Sequence, residues 1–171
     1  MQRRFVLFCS LSVAVLSLAI TGCGFHLRNN QTFAFKTIAI SPTAGSAVAQ
    51  DLARYFGASL VPLVPAAESV APEVVLYVVE EVRERNIVAV NASGQVRELQ
   101  LRVRLKFKVQ TPQGLELINT TEISQQRDIS FNESSALAKE AEEVLLYRDM
   151  QNDIVQQMLR RLAAIKLTPT P

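Results

Sequence analysis

The chain has few of the residues on which most catalytic and metal sites depend. It contains one histidine, His26, two cysteines and six glycines in 171 residues. No metal-ligand spacing surrounds His26, and neither a G-x-S-x-G elbow nor a glycine-rich phosphate loop occurs. The acidic pairs, which are equally typical of solvated surfaces, are Glu80–Glu81, Glu142–Glu143 and Asp149 with Asp153. We therefore predict a non-enzyme without a metal or cofactor, with a hydrolase as a rival hypothesis.

A strong net charge is also lacking. The whole chain has 18 basic and 16 acidic side chains, and its excess of +2 comes from Arg3 and Arg4. Without these two arginines the balance is 16 to 16, since 18 − 2 = 16. A general nucleic-acid binder normally has a strongly basic domain. We therefore expect no nucleic-acid partner, and any anion must be recognised by a local patch.

The first apolar run has the form of a secretory signal. Arg3 and Arg4 precede mostly apolar residues from Phe5 to Ile20, and small residues follow. A membrane-spanning helix needs about 20 apolar residues, whereas this run is shorter and ends abruptly. Residues 1–22 are therefore predicted to be a cleaved signal peptide.

The order Ile-Thr-Gly-Cys at Ile20–Cys23 resembles the bacterial lipobox. In that motif the cysteine is acylated and becomes the new N-terminus, so Cys23 is expected to carry N-acyl and S-diacylglycerol groups. A plain signal peptide with a chance cysteine is the alternative. Cys9 leaves with the signal, and so no cysteine remains for a disulfide. An aspartate directly after the acylated cysteine marks retention in the inner membrane. Because Gly24 stands at that position, we expect the protein at the outer membrane.

The remaining 149 residues (171 − 22 = 149) suffice for one domain with its own core. We predict a lipidated tether over residues 23–32, a single α/β domain over 33–166 and a flexible tail over 167–171. The tail ends in Thr-Pro-Thr-Pro, which cannot continue a helix.

Periodicity predicts a strand and a helix at the start of this domain. Phe35–Ser41 is a short β-rich run closed by Pro42. A helix begins near Ser46, which is a good N-cap, and ends near Gly57. The apolar positions of this helix are Val48, Leu52, Tyr55, Phe56 and Leu60.

Three antiparallel strands are predicted next. Val74–Val90 and a strand from Val96 flank the turn residues Asn91–Gly94. Apolar and polar residues alternate strictly in the strand from Val96, which predicts one buried and one polar face. Its apolar members are Leu99, Leu101, Val103, Leu105, Phe107 and Val109. Pro112–Gly114 then turns the chain into a polar strand over Leu115–Arg127, typical of a sheet edge.

A long helix starting at Ser134 or Ser135 completes the domain. Its apolar stripe is Leu137, Ala141, Val144, Tyr147, Met150 or Gln151, Ile154, Met158, Leu162 and Ile165. Two helices with one apolar stripe each can cover only one face of a sheet. The prediction is an α/β (α+β) two-layer sandwich of order β-α-β-β-β-α, in which both helices pack on one face of a four-stranded mixed sheet. The neighbour of the first strand stays open.

The polar face of the alternating strand carries four cations, here called the basic row: Arg102, Arg104, Lys106 and Lys108. Successive members lie about 6.5–7 Å apart. They form either a ladder for phosphates or an acidic partner, or cross-strand pairs with acids of the neighbouring strands. The acids available for such pairs are Glu80, Glu84, Glu116 and Glu122.

Several of these segments resemble the LPS-assembly lipoprotein LptE family. The resemblance is most specific at Cys23–Arg28 (CGFHLR) and at Ala136–Glu140 (ALAKE), and it includes Met158–Leu162 near the end of the long helix. The order of the elements and the Asn-Ala-Ser-Gly turn are also similar. The resemblance covers essentially the whole chain after residue 22.

The resemblance implies a two-layer α/β domain that plugs the β-barrel translocon LptD at the outer membrane, assists its assembly and binds lipopolysaccharide. Lys139 matches a lysine linked in the family to lipopolysaccharide binding. Some members have a second basic residue at the hairpin tip, but here the tip Val90–Gln95 has no cation, and Arg97 is the nearest one. The alternative is a stand-alone carrier or chaperone for amphiphilic lipids, which would need a large apolar pocket.

Overall fold

A computed structural model describes residues 31–64 and 70–167 of the chain. Outside these residues lie the predicted signal peptide, the predicted acylation site Cys23, His26, most of the tether and most of the tail. Those expectations therefore stay predictions.

The first strand and helix form a compact β-α unit. Strand β1 is Ile38–Ser41 and helix α1 is Ala47–Phe56. The predicted N-cap is confirmed, because the Ser46 hydroxyl oxygen accepts a hydrogen bond from the Ala49 N–H at 3.0 Å. Gly57, with φ 48°, ends the helix.

The strand is shorter than the sequence predicts, and one residue of the predicted helical stripe lies outside the helix. The strand begins at Ile38 instead of Phe35, because the Phe35 ring packs against Phe56 of α1 with centroids 6.0 Å apart. The periodicity predicts that Leu60 belongs to the helix. In the structure it lies outside the helix and forms an isolated bridge with Ile38. Because the helix ends at the Gly57 cap, the helical spacing of Leu60 is a coincidence.

Three long strands follow: β2 (Val74–Val90), β3 (Val96–Gln110) and β4 (Glu116–Ser130). The predicted turn between β2 and β3 is confirmed, since the Asn91 side-chain oxygen accepts hydrogen bonds from the N–H groups of Ser93 and Gln95. Strand β4 runs three residues past the predicted end at Arg127. The extension stays paired with β3 and buries Ile129.

The sheet order is β1-β2-β3-β4, with β1 parallel to β2 and the remaining pairs antiparallel. The mixed sheet and the edge position of β4 are thereby confirmed, and the open question of the neighbour of the first strand is answered by β2. Because β1 is short, it pairs with β2 only over Val74–Tyr77.

The core lies between one face of the sheet and both helices. The second helix, α2, is Ala136–Ala163 and follows a 3-10 turn over Glu133–Ser135. The alternating apolar residues of β3, here called the buried row, are all inaccessible to solvent as predicted: Leu99, Leu101, Val103, Leu105, Phe107 and Val109. The helical residues of this core include Leu52, Met150, Ile154, Met158 and Leu162.

The first half of α2 departs from the predicted stripe. Leu137 is 83% exposed and Val144 is 68% exposed, and burial along the helix begins at Met150. The reason is a bulge in β2 between Val78 and Glu80, beyond which the face of β2 toward the helices carries charged residues. A helix opposite charged side chains has no apolar surface on which to bury its own.

The two halves of the core give a stability prediction. Leu101→Ala should lower the free energy of unfolding by about 2–5 kcal/mol, because it leaves a cavity under the helices. Leu137→Ala should change the free energy of unfolding by less than about 0.5 kcal/mol, since Leu137 faces solvent. Urea denaturation followed by circular dichroism measures both, and an equal loss in the two variants would contradict this description of α2.

Candidate functional site

The face of the sheet opposite the helices carries the basic row in ion pairs. The Arg104 guanidinium contacts the Glu84 carboxylate of β2 at 2.7 Å and the Glu122 carboxylate of β4 at 3.7 Å. Arg102 lies 3.9 Å from the same Glu84. One acid of β2 therefore serves two neighbouring arginines of β3.

The other end of the row also has partners on β2, one acidic and one aromatic. The Lys106 ammonium lies 3.0 Å from Glu80, and the Lys108 ammonium lies 5.3 Å from the centroid of the Tyr77 ring. Cross-strand pairing with acids is thus confirmed for three of the four cations, so the row is not a ladder of free cations. Among the described residues Glu116 forms no ion pair, because its register partner is Gln110, beyond the row.

The ion pairs also shift the pKa values of Glu80 and Arg104. The hydrogen bond from Lys106, and then its charge, lowers the pKa of the Glu80 carboxyl. The hydrogen bond to Glu84, followed by the charge of that carboxylate, raises the pKa of the Arg104 guanidinium. The face is therefore polar but locally neutralised, and it offers hydrogen-bonding groups rather than a field of one sign.

The two lipopolysaccharide-binding candidates lie at the end of the sheet where β2 turns into β3. The Lys139 ammonium contacts the Glu142 carboxylate at 2.8 Å and the Ser130 hydroxyl at 3.3 Å. Arg97 is exposed, and its carbonyl accepts a hydrogen bond from the N–H of Phe131, the residue after Ser130. Within the described chain no acidic side chain contacts the Arg97 guanidinium.

A groove between β2 and the first half of α2 was not anticipated from the sequence. It has a volume of about 460 Å³ and is open to solvent. The Arg85 guanidinium bonds Glu143 at 3.1 Å, and the Tyr147 hydroxyl donates to the Glu84 carbonyl at 2.8 Å. Burial, and then the Glu143 carboxylate, raises the pKa of the Tyr147 phenol. The residues that line the groove are Arg85, Glu140, Glu143, Val144 and Tyr147.

The bulge in β2 explains why sequence reasoning missed this groove. Before the bulge the helix-facing residues are apolar, but after it they are Glu81, Arg83 and Arg85, which pair with buried-row residues of β3. Glu81 accepts hydrogen bonds from the Ser46 hydroxyl and the Val48 N–H, and Arg83 donates to Gln151. The pairing of Lys139 with Glu142, by contrast, was accessible from its i,i+3 spacing.

Two further observations concern chemistry and membranes. Residues 31–64 and 70–167 contain no cluster of three or more histidine, cysteine or acidic side chains suited to a metal ion. In the same part of the chain, no helix has the length and apolar character required to span a bilayer.

The shared acid of the ion-pair network gives a testable expectation. Glu84→Gln should lower the free energy of unfolding by about 0.5–1 kcal/mol at low ionic strength, because Arg102 loses its acidic partner and Arg104 keeps only Glu122. The loss should shrink in about 1 M salt, where the pairs are screened. Denaturant titrations at both salt concentrations measure this, with Glu116→Gln as the control that removes no ion pair; a loss independent of salt would contradict the assignment.

Known proteins are similar to this chain in sequence over most of its length. A family model described as "LptE: Lipopolysaccharide-assembly" matches residues 31–162. The LPS-assembly lipoprotein LptE of Photorhabdus laumondii is 25% identical over 169 residues, which covers 96% of this chain and 88% of that protein.

Solved structures agree with this match. The solution structure of a lipoprotein B from Nitrosomonas europaea is 35% identical, covers 82% of this chain and 91% of its own, and superposes with a TM-score of 0.66. A minor lipoprotein from Acinetobacter baumannii, 21% identical, shares the fold with a TM-score of 0.58 over 81% of this chain and 100% of its own. The match of the family model over most of the described residues shows that the chain belongs to the LptE family of lipopolysaccharide-assembly lipoproteins.

Proposed function

We propose that this protein is an outer-membrane lipoprotein, anchored through Cys23, that plugs the lipopolysaccharide-transport barrel LptD and assists its assembly. It binds lipopolysaccharide that is being delivered to the outer leaflet. It acts without catalysis, as a binding and assembly component. Membership of the LptE family supports the involvement in lipopolysaccharide transport.

The observation that carries the plug proposal is the one-sided sheet. Both helices cover one face, and the opposite face presents cations already paired with Glu80, Glu84 and Glu122. The lumen of a large outer-membrane barrel is polar. A polar face whose charges are paired in advance can lie against such a wall without leaving an unpaired buried charge, which is the costly case.

The proposed anchor places this domain close to the membrane. Residues 24–30 separate Cys23 from Gln31, the first described residue. Eight residues span at most about 28 Å even when fully extended. An anchor at Cys23 is therefore expected to hold the domain near the bilayer in which the proposed partner barrel is embedded.

Lipopolysaccharide is proposed to bind at the end of the sheet that carries Lys139 and Arg97. Lipid A presents phosphates, and Arg97 has a guanidinium without an acidic partner among the described residues. Lys139 lies in the first turn of α2, where backbone N–H groups favour an anion. The Ser135 side chain makes no capping hydrogen bond there.

The alternative of a stand-alone carrier for amphiphilic lipids has less support. A carrier needs an apolar chamber for acyl chains. The groove beside Tyr147 is open and lined by Arg85, Glu140 and Glu143. A second groove, of about 590 Å³, is lined largely by apolar residues such as Leu115 and Leu117, but it is also open. Neither groove offers an enclosed apolar volume.

Co-purification tests the plug proposal. The full-length protein with a C-terminal affinity tag should be recovered from detergent-solubilised outer membranes together with a barrel of the LptD family. Labelled palmitate should be incorporated into the wild type and lost in Cys23→Ala, because the acylated thiol is absent. Recovery of the wild type as a free monomer, or equal labelling of both proteins, would overturn the proposal.

Charge reversal tests the lipopolysaccharide site. Lys139→Glu and Arg97→Glu should each weaken lipopolysaccharide binding about tenfold, since a charge-assisted contact to phosphate contributes about 1.5–3 kcal/mol. Lys36→Glu is the matched control, because Lys36 is an exposed lysine near the opposite end of the sheet. Surface plasmon resonance with immobilised lipopolysaccharide measures the affinities, and circular dichroism confirms folding. Equal affinities in all three variants would remove the two residues from the site.

A further inference from the structure

Strand β2 has an open edge over its second half. It extends to Val90, whereas β1 pairs with it only as far as Tyr77. The N-terminus of α1, held by the Glu81 carboxylate, lies beside the middle of the strand. From Arg83 onward, no strand among the described residues flanks β2 on this side.

The backbone groups that face this edge follow from the register. The Val74 N–H donates to the Thr37 carbonyl beside β1 at 3.3 Å, so helix-facing residues of β2 direct their N–H and C=O groups toward the side of β1. Beyond the bulge the helix-facing residues include Arg83, Arg85 and Ile87, whose partners on β3 belong to the buried row. Their backbone groups therefore point into the open edge.

This edge exposes large apolar side chains, which the other edge does not. Ile87 is 59% exposed and Val88 is 48% exposed, whereas no large apolar side chain of β4 is exposed in this way. Charges, prolines or bulges normally blunt an edge strand, because an exposed apolar edge invites another strand. Arg83 and Arg85 supply charges here, but both guanidinium groups are bonded to side chains of α2. Between the first two of its three irregularities β2 pairs regularly with β3 over Glu80–Ile87, long enough for an added strand of ordinary length.

We propose that an extended segment of the partner barrel pairs with this open edge of β2 as a fifth strand. The inference rests on the function proposed above. Backbone donors and acceptors that recur at every second residue are matched by an extended chain, and aliphatic residues on that chain would cover Ile87 and Val88. Val144, exposed on α2 and lining the same groove as Arg85, lies where side chains of the added strand would pack.

Hydrogen–deuterium exchange with mass spectrometry tests this pairing. The tagged complex from outer membranes is compared with the free protein over peptides that cover residues 82–89 of β2 and 117–128 of β4. The amides of Arg83, Arg85 and Ile87 should exchange at least about tenfold more slowly in the complex, because they become hydrogen-bonded. The β4 peptide, which has the other open edge, should exchange at the same rate in both.

A matched pair of variants separates edge pairing from simple coverage. Arg83→Pro and Arg83→Ala both remove the contact of the Arg83 side chain with Gln151. Only the proline also removes the edge N–H, without breaking a hydrogen bond to β3. The proline variant should recover at least about tenfold less barrel than the alanine variant.

The outcomes are distinguishable. If no barrel accompanies the wild type, the proposed function and the edge pairing both fail. If the barrel is present but residues 82–89 exchange as in the free protein, or if folded Arg83→Pro and Arg83→Ala recover equal amounts of barrel, only the edge pairing fails. A dimer of the free protein with these amides protected would make a second copy the occupant and overturn the proposal. If Arg83→Pro does not fold, the exchange measurement on the wild type decides.

Discussion

Burial of the β3 apolar row under α1 and α2 is the interaction on which the rest of this structure depends. Side chains alternate between the two faces of a strand, so covering Leu101 and its row places Arg102, Arg104 and Lys106 on the opposite face. A shift of β3 by one residue would bury those cations, which is why the register is strongly determined. The core and the proposed contact surface are therefore two consequences of one alternation.

The cations on the outer face determine what this surface can meet. Arg104 has acids from both neighbouring strands within 4 Å, and Lys106 has Glu80. Such pairs contribute little to stability where they are solvated, but they remove the long-range field that would attract nucleic acid or free phosphate. A flat, polar and locally neutral sheet face is suited to another polar protein wall, as the proposed plug function requires.

The bulge between Val78 and Glu80 divides the domain into two parts with different roles. On one side of it, the helices and the sheet share an apolar core. On the other side, the sheet faces α2 with Arg83 and Arg85, so the first half of the helix stays exposed, a groove remains open and the edge of β2 is uncovered. The proposed contacts with lipopolysaccharide and with a partner strand both lie in this less packed part, where surface is available for binding.

The sequence by itself determined the features that depend on neighbouring residues. These are the Ser46 cap, the turn after Val90, the alternation of β3, the element order and the one-sided packing of two helices. Only the tertiary structure decided that β1 lies parallel to β2, that Glu84 rather than Glu116 serves the arginines, and that Val144 faces solvent. Cross-strand partners depend on register, and one inserted residue in β2 reverses the face of the residues that follow it as far as Ile87. Local composition carries no mark of that insertion, because its effect appears only when the strand is paired.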